Sequence, residues 1–235
     1  MSKIVIGNQK MYMNKTDVLA FVDMLKQTNM DNKEVIVCPT YPFLEYYNDT
    51  VPVGAQNVSI NDNGAYTGEV SVSQLKSLNI PYCIVGHSER REYQKETFED
   101  INEKVKRLFE NDIVPILCIG ESKEQRENTD FKAFLEDEIT TAIEGLTEDQ
   151  INKIVIAYEP IWSIGTGIIP TTEEIIEVFD FIKEKLPNTK VLYGGSANVN
   201  NIEMLNKIKQ IDGYLLGGLS LKPDDLQKFL DIMKD

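Results

Sequence analysis

Ile154–Gly167, with the sequence IVIAYEPIWSIGTG, is the stretch that decides how the fold is interpreted. Its first five residues are an uninterrupted apolar run, typical of a strand buried on both faces of a parallel sheet. Glu159 follows, and Pro160 ends the strand because proline has no backbone N–H to donate. The apolar loop beyond it runs into Gly165 and Gly167, which indicates a flexible lid. A carboxylate beneath an apolar lid is a candidate general base, since exclusion of water raises its proton affinity. An ordinary loop with a surface glutamate is the alternative.

Seven more short apolar runs lie on either side of this strand, separated by polar segments in which apolar residues recur at helical spacing. The runs are Ile4–Gly7, Val35–Cys38, Val51–Ala55, Tyr82–Val85, Val114–Ile119, Val191–Tyr193 and Tyr214–Leu216. The segments after the second and third runs are weaker helix candidates. Strands that alternate with helical segments in this number predict an α/β protein, a single (β/α)8 barrel domain over residues 1–235. A doubly wound open sheet is the structural alternative.

Polar residues and glycines cluster just past the carboxyl ends of these runs. They are Asn8, Lys10, His87, Glu159, Gly194–Ser196 and Gly217–Gly218. In a barrel the carboxyl ends of the strands converge on one face, where the chemistry takes place. In an open sheet, residues after the first and last strands would lie far apart. The distribution therefore favours the barrel and predicts a site at its carboxyl-terminal face.

Composition excludes several classes of function. The chain of 235 residues carries a formal net charge of −14, which argues against nucleic-acid binding because that needs a basic face. No apolar run is long enough to span a membrane and no secretory signal is present, so we expect a cytoplasmic protein. The three cysteines lie in or beside apolar runs and are expected to be buried thiols. A single histidine and no suitable spacing predict no metal site.

Two side chains at strand ends suit acid–base and electrostatic chemistry. Lys10 can supply a fixed positive charge for a phosphate or an oxyanion, and a solvated surface lysine is the alternative. His87 follows Gly86 at the end of the fourth strand, where a helix N-terminus close by would disfavour its protonation and leave a neutral hydrogen-bond donor. A structural histidine is the alternative. Glu89, Arg90 and Arg91 suggest an ion-pair network that holds the site or a subunit contact, against a solvated charge cluster.

Glycines follow the seventh and eighth strands at Gly194–Gly195 and Gly217–Gly218. Glycine lets backbone N–H groups approach a phosphate closely, and these two loops are where barrels commonly bind one. Simple turns are the alternative. The long segment Gln56–Glu69 is expected to be either a protruding interface loop or a plain surface loop.

Several ordered motifs make the chain closely resemble the triosephosphate isomerase family over nearly its full length. The motifs are Gly7–Met11, Gly54–Asn57, Gly64–Glu69, Val85–Arg91, Cys118–Glu121, Ala157–Gly167, Tyr193–Ser196 and Gly217–Gly218. The resemblance implies a (β/α)8 barrel that interconverts dihydroxyacetone phosphate and glyceraldehyde 3-phosphate, without a metal or organic cofactor.

The resemblance also implies residue roles. Glu159 matches the base and His87 the neutral electrophile, a pairing that is known from this family itself. Lys10 matches the residue that stabilises the enediolate, and Asn8 helps to orient Lys10. The positions that match the phosphate-binding residues are Gly165, Ser196, Gly217 and Gly218.

The family is usually a homodimer, and the resemblance extends to its interface. Thr67 matches the position that reaches into the partner's site beside Lys10 and His87, and Glu89 and Arg90 match residues near that contact.

Two of the departures from the family lie beside Lys10 and beside the phosphate glycines. Gln9 stands where tryptophan is usual, and Leu219 stands where a small alanine is common beside the phosphate glycines. Leu219 is expected to crowd the phosphate, and Gln9 to alter the packing under Lys10. A different phosphosugar isomerase and a non-catalytic phosphate-binding protein are the alternative functions, and Glu159, His87 and Lys10 together argue against both.

Overall fold

The computed structural model describes residues 3–30, 33–164 and 168–233. Within these ranges a single sheet contains eight strands, and all of its paired strands run parallel. The strands are β1 (Lys3–Asn8), β2 (Lys33–Cys38), β3 (Gly54–Ala55), β4 (Tyr82–Val85), β5 (Val114–Ile119), β6 (Val155–Tyr158), β7 (Lys190–Tyr193) and β8 (Gly213–Leu216). Their order is β2-β1-β8-β7-β6-β5-β4-β3, and Val37 of β2 bridges Val53 just before β3. The sheet therefore curls into a nearly closed barrel, and the barrel prediction is confirmed.

Helices lie between the strands along the described chain. They are α1 (Lys15–Leu25), α2 (Val72–Ser77), α3 (Ser88–Tyr93), α4 (Phe98–Glu110), α5 (Lys123–Asn128), α6 (Phe131–Ala142), α7 (Glu148–Lys153), α8 (Thr172–Lys185), α9 (Ile202–Leu205) and α10 (Pro223–Ile232). Short 3₁₀ segments occupy Tyr41–Tyr46, Ile161–Ser163 and Gly218–Leu221. Two of these 3₁₀ segments follow β6 and β8 directly, so they shape the carboxyl-terminal face.

Many of the helices begin where the sequence supplies a capping residue. Thr171 accepts from Glu174 N–H, and the Glu174 side chain accepts in return from the Thr171 N–H. Such a reciprocal pair satisfies two backbone donors that a helix start leaves open. Pro223 begins α10, where its fixed φ suits the first helical turn.

The apolar side chains form two layers. Inside the barrel, alternate strand residues such as Ile4, Ile6, Ile116 and Ala157 pack against one another. Residues of the opposite strand face, with Val5 as an example, pack against the helices. This division follows from the period of two in a strand. All three cysteines are buried free thiols, as predicted.

The barrel departs from the sequence-based boundaries mainly at its third strand. The run Val51–Ala55 predicted a full strand, yet β3 contains only two residues. Pro52 has no N–H to donate to a ladder, and only its carbonyl pairs, with Val37 N–H. A 3₁₀ segment follows β2 and the short α2 follows β3, in line with the weak helix signals there. Among the residues that the structure describes, no helix is both long and apolar enough to cross a membrane.

Candidate active site

The carboxylate of Glu159 lies at the end of β6, at the carboxyl-terminal face of the barrel. Its peptide N–H donates to the Ile119 carbonyl at 2.8 Å, which continues the pairing of β6 with β5. Gly120 passes so close that a Cβ there would lie 1.8 Å from the Glu159 carbonyl oxygen. Only a glycine fits at position 120, and it lets the two strand ends converge around a buried carboxylate.

Both oxygens of the Glu159 carboxylate have partners. Oε1 lies 2.9 Å from His87 Nε2, and Oε2 accepts from the Ser88 N–H at 3.0 Å. His87 is the N-cap of α3, and its Nδ1 accepts from the Glu89 N–H at 3.3 Å. Because Nδ1 accepts a hydrogen bond, the imidazole proton lies on Nε2 and points at the carboxylate.

This contact sets the charge state of the pair. Burial raises the pKa of Glu159, but His87 and the Ser88 N–H outweigh it and hold the pKa below its usual value of 4.5. Burial lowers the pKa of His87, but the adjacent Glu159 carboxylate outweighs it and raises the pKa above 6.5. The sequence predicts that the helix N-terminus lowers the pKa of His87 and keeps the imidazole neutral. In this arrangement the contact with Glu159 raises the pKa instead. Without the Glu159 contact, burial and the Lys10 ammonium would lower the pKa of His87, and the Glu89 carboxylate would oppose them.

Lys10 extends over the same face from the end of β1. Its backbone adopts a φ of 49°, a left-handed conformation that is uncommon for a residue with a side chain. The Asn8 side-chain oxygen accepts from the Lys10 N–H at 3.0 Å, and Gln56 donates to the Lys10 carbonyl at 2.9 Å. The ammonium lies 2.5 Å from Glu89 Oε1. Local hydrogen bonds therefore hold the unusual backbone and aim the positive charge across the mouth of the barrel.

These groups surround one cavity of about 720 Å³, within the size range of small-molecule sites. Seven of the predicted site residues line it: Asn8, Lys10, His87, Glu159, Ser196, Gly217 and Gly218. Leu219 also lines the cavity and is largely buried, which places this departure from the family at the wall of the site.

The loop that the sequence predicts to be a lid begins with the 3₁₀ turn Ile161–Ser163, directly after Pro160. The Ser196 hydroxyl donates to the Ser163 carbonyl at 2.9 Å, so the loop after β7 holds the start of the lid. Trp162 Nε1 donates to the buried Glu121 carboxylate at 3.1 Å. Gly165, predicted to bind phosphate, lies outside the described residues.

Of the predicted interface residues, Glu89 contacts Lys10 and His87 directly, whereas Thr67 lies apart from the site. Glu89 and Arg90 line a second cavity of about 380 Å³ that adjoins Lys10 and His87. Arg90 Nε donates to Glu96 Oε2 at 3.0 Å, which continues an ion-pair network next to the site. Thr67 is exposed on the long loop between β3 and α2 and lines neither cavity.

No group of three or more histidine, cysteine, aspartate or glutamate side chains in the described ranges is placed to hold a metal ion. The arrangement instead combines a buried carboxylate, an Nε2–H donor, an ammonium and glycine-rich turns around one cavity. Such a set can move a proton on a small anionic carbonyl compound and stabilise the resulting oxyanion.

Comparison with known proteins agrees with this geometry. The family model described as Triosephosphate isomerase matches residues 3–235. The chain belongs to the triosephosphate isomerase family. A Triosephosphate isomerase of Clostridium beijerinckii is 43% identical over 237 residues, covering 94% of this chain and 96% of the relative. Triosephosphate isomerases of Clostridium botulinum (strain Loch Maree / Type A3) and Clostridium perfringens (strain SM101 / Type A) are 40% and 41% identical, each covering 97% of this chain and 98% of the relative. The resemblance seen in the sequence is confirmed.

One group that supports the site was missed in the sequence. Glu138 of α6 is fully buried, pairs with Arg91 and accepts from the Gly120 N–H at 2.8 Å. Burial raises the pKa of Glu138 to about 8, although Arg91 and the Gly120 N–H oppose the shift. Arg91 also donates to the Gly86 carbonyl, so this pair supports the turns before His87 and behind Glu159. A carboxylate on the apolar face of α6, between Leu135 and Ala142, was the available signal.

Proposed function

We propose that this chain is an intramolecular aldose–ketose isomerase that interconverts dihydroxyacetone phosphate and D-glyceraldehyde 3-phosphate through an enediolate, a step of glycolysis and gluconeogenesis. The observation that carries the proposal is a single cavity lined by the Glu159 carboxylate, the His87 imidazole and the Lys10 ammonium in a chain of this family. All proton transfers are assigned to side chains, and the proposed reaction uses no metal or organic cofactor.

Glu159 is proposed as the base. Its carboxylate takes the proton from the carbon next to the carbonyl and returns it to the neighbouring carbon, so the carboxyl ends the cycle unprotonated. Its two oxygens contact His87 Nε2 and the Ser88 N–H, and each keeps a lone pair that can accept a proton. For His87 Nε2–H to face the substrate oxygens, its contact with Glu159 has to break, so substrate binding competes with this contact.

His87 is proposed as the acid that faces the substrate oxygens. Its Nε2–H polarises the carbonyl and moves the hydroxyl proton, while the Glu89 N–H on Nδ1 keeps that nitrogen unprotonated. Lys10 stabilises the negative charge of the enediolate and of the phosphate. Asn8 is assigned to orient Lys10, because its side chain holds the Lys10 N–H.

The phosphate is assigned to the turns after β7 and β8. Ser196, Gly217 and Gly218 line the cavity, and a Cβ at Gly218 would meet nothing within 4 Å, so this backbone is open to an anion. Gly165 is assigned to the same group from the lid. An anion there also lies near Lys10, whose Cε is 3.5 Å from where a Gly217 Cβ would be. One lysine and backbone dipoles thus bind the anion on a protein of net charge −14.

We further propose a cytoplasmic homodimer of single-barrel subunits, with residues 1–235 as one domain. Thr67, Glu89 and Arg90 are assigned to the interface. Met11 and Tyr93, which line the second cavity with Glu89 and Arg90, are 90% and 68% exposed, and burial of such apolar surface stabilises association. Sedimentation equilibrium tests the dimer, and a monomer at micromolar concentration would contradict it.

The test of function is isomerisation of glyceraldehyde 3-phosphate in a coupled assay, with Glu159→Gln as the variant. We expect rapid turnover by the wild type and a loss of roughly 10²–10⁴-fold or more in the variant, as for removal of a general base. Phosphoglycolate should still protect the variant against thermal unfolding, which shows an intact site. If the Glu159→Gln variant turned over the substrate at the wild-type rate, another group would be the base. Folded wild-type protein that binds phosphoglycolate without turnover would favour a non-catalytic phosphate-binding protein.

A further inference from the structure

A buried glutamine separates the two site residues that β1 supplies. Gln9 lies between Asn8 and Lys10 and is only 1% exposed. Its peptide N–H donates to the Cys38 carbonyl at 3.1 Å, which continues the pairing of β1 with β2. Asn8 and Lys10 line the large cavity, whereas the Gln9 side chain contacts protein groups beneath it. The residue therefore supports the site from below.

The Gln9 amide makes two hydrogen bonds to parts of the chain that are remote in sequence. Tyr47 Oη lies 3.0 Å from Gln9 Oε1, and Nε2 donates to the Ser220 carbonyl at 3.4 Å. A carbonyl oxygen only accepts, so the NH₂ group must face Ser220. The Tyr47 hydroxyl must then donate to Oε1. Because the amide is fixed in one orientation, an isosteric carboxylate is not equivalent to it.

Ser220 belongs to the 3₁₀ turn that begins at the glycine pair Gly217–Gly218. Its hydroxyl lies 3.0 Å from the Asn8 carbonyl and 2.6 Å from the Gly217 carbonyl, so its one proton is shared between β1 and the turn. A Cβ at Gly7 would come within 2.9 Å of Ser220 Cβ. The turn after β8 thus packs directly on the end of β1, and Gln9 bonds to it there.

We propose that Gln9 is a positioning residue whose buried amide ties the end of β1 to the Ser220 turn and thereby fixes the spacing between the Lys10 ammonium and the Gly217–Gly218 backbone. The proposal rests on the assignment of these groups to one phosphate. The two anchors are close neighbours, because a Gly217 Cβ would lie 3.5 Å from Lys10 Cε. A small displacement of the turn therefore changes the fit of an anion to both of them.

Replacement of Gln9 should weaken phosphate binding more than it slows the chemistry. Gln9→Met keeps the length of the side chain and removes both hydrogen bonds. We expect the KM for glyceraldehyde 3-phosphate and the inhibition constant of inorganic phosphate to rise together by about five- to tenfold, the effect of about one buried hydrogen bond. The fall in kcat should be smaller than the rise in KM, because no contact joins the Gln9 side chain to Glu159 or His87 in the described structure.

Gln9→Glu adds a readout that a merely structural role would not produce. A protonated carboxyl can still donate to the Ser220 carbonyl, whereas a carboxylate cannot. The ratio of variant KM to wild-type KM should therefore be near one at acidic pH and rise as the pH increases. Division of the variant KM by the wild-type KM at the same pH cancels the effect that protonation of the substrate phosphate has on both enzymes. A ratio that does not change with pH would contradict the proposed donor role.

Two tyrosine variants serve as matched controls. Tyr47→Phe removes the hydrogen bond to Gln9 Oε1 and leaves the one from Gln9 Nε2 to the Ser220 carbonyl. It should raise KM by about two- to threefold, which is less than the effect of one full buried hydrogen bond. Tyr214→Phe removes another buried hydroxyl, which donates to Asn206 Oδ1 at 2.8 Å and does not contact Gln9. It should lower thermal stability without changing KM.

The outcomes separate this inference from the proposed function. Wild-type protein without turnover would refute the isomerase assignment, and calorimetric titration with inorganic phosphate would then test Gln9→Met by affinity alone. Active wild type and a folded Gln9→Met with unchanged KM and phosphate inhibition would overturn the positioning role. If Gln9→Met does not fold, the Tyr47→Phe variant provides the test. A KM for Tyr47→Phe equal to the KM for Tyr214→Phe would overturn the proposal.

Discussion

Gly195→Ala should reduce both stability and turnover, because the protein leaves no room for a methyl group after β7. A Cβ at Gly195 would lie 2.4 Å from Tyr193 Oη and 3.0 Å from Pro160 Cγ. To restore ordinary contact, the Tyr193 ring must withdraw by about 1 Å or Pro160 must shift. Tyr193 is fully buried, and Pro160 directly follows the proposed base Glu159. The clash therefore acts on the core and on the proposed catalytic carboxylate together.

The expected losses of stability and of turnover follow from these two consequences. Overpacking of a core costs about 1–3 kcal/mol, which for a chain of this size lowers Tm by roughly 3–10 °C. Displacement of a catalytic group by about 1 Å costs up to about 100-fold in rate. We therefore expect kcat to fall by about 10–100-fold in protein that is still folded at the assay temperature.

Calorimetry and the coupled isomerase assay measure both effects, with Gly218→Ala as the control. A Cβ at Gly218 would meet nothing within 4 Å, so this variant should keep its Tm. Because Gly218 is assigned to the phosphate, its KM should rise instead. A Gly195→Ala protein with the Tm and kcat of the wild type would refute the steric reasoning.

Three further predictions concern buried charge. Glu159→Gln should lower the pKa of His87, measured by ¹⁵N NMR on the single histidine of the chain, because the carboxylate that raises it is gone; an unchanged value would contradict this. The stability that wild type has over Glu159→Gln in urea unfolding should be largest between pH 4.5 and 6.5. It should decline below pH 4.5 as Glu159, whose folded pKa is lowered, becomes protonated, and above pH 6.5 as His87, whose folded pKa is raised, loses its proton. A stability difference between wild type and Glu159→Gln that does not change with pH would show that the shifted pKa values of the pair do not contribute to stability. Glu121→Gln should lower the free energy of unfolding by about 1.5–3 kcal/mol, because the Arg126 guanidinium loses its fully buried charged partner and keeps the more exposed Glu177. Asp149→Asn, at an exposed pair, should change it by less than about 1 kcal/mol, and equal losses would refute the role of burial.

The barrel could be predicted because its strands are buried on both faces and therefore appear as continuous apolar runs. The third strand was overestimated because an apolar run does not show whether its backbone can pair. In Val51–Ala55 the proline at position 52 removes a donor, and the ladder contains only Gly54 and Ala55. Hydropathy thus located the strand, while backbone hydrogen bonding determined its length.

The positions of the site residues could be predicted from strand ends, but their electrostatics could not. Sequence spacing placed His87 at the start of a helix, which predicts a lowered pKa. The 2.9 Å contact with Glu159 reverses the direction of the pKa shift, and it joins residues just past β4 and β6 that are separated by 72 positions. Glu138 was missed for the same reason, since its partners Arg91 and Gly120 come from other elements.

The charge of the chain shows why local structure, rather than composition, determines what this site binds. A net charge of −14 disfavours anionic ligands at long range, yet the cavity presents an ammonium and glycine-rich turns. Lys10 pairs with Glu89, whose side chain is 44% exposed. The proposed phosphate would therefore replace a partly solvated carboxylate as the partner of Lys10, rather than bind an isolated positive charge. A partly exposed ion pair does not fix the ammonium by itself, and the role proposed for Gln9, which bonds to Tyr47 and to the Ser220 carbonyl, is to supply that rigidity.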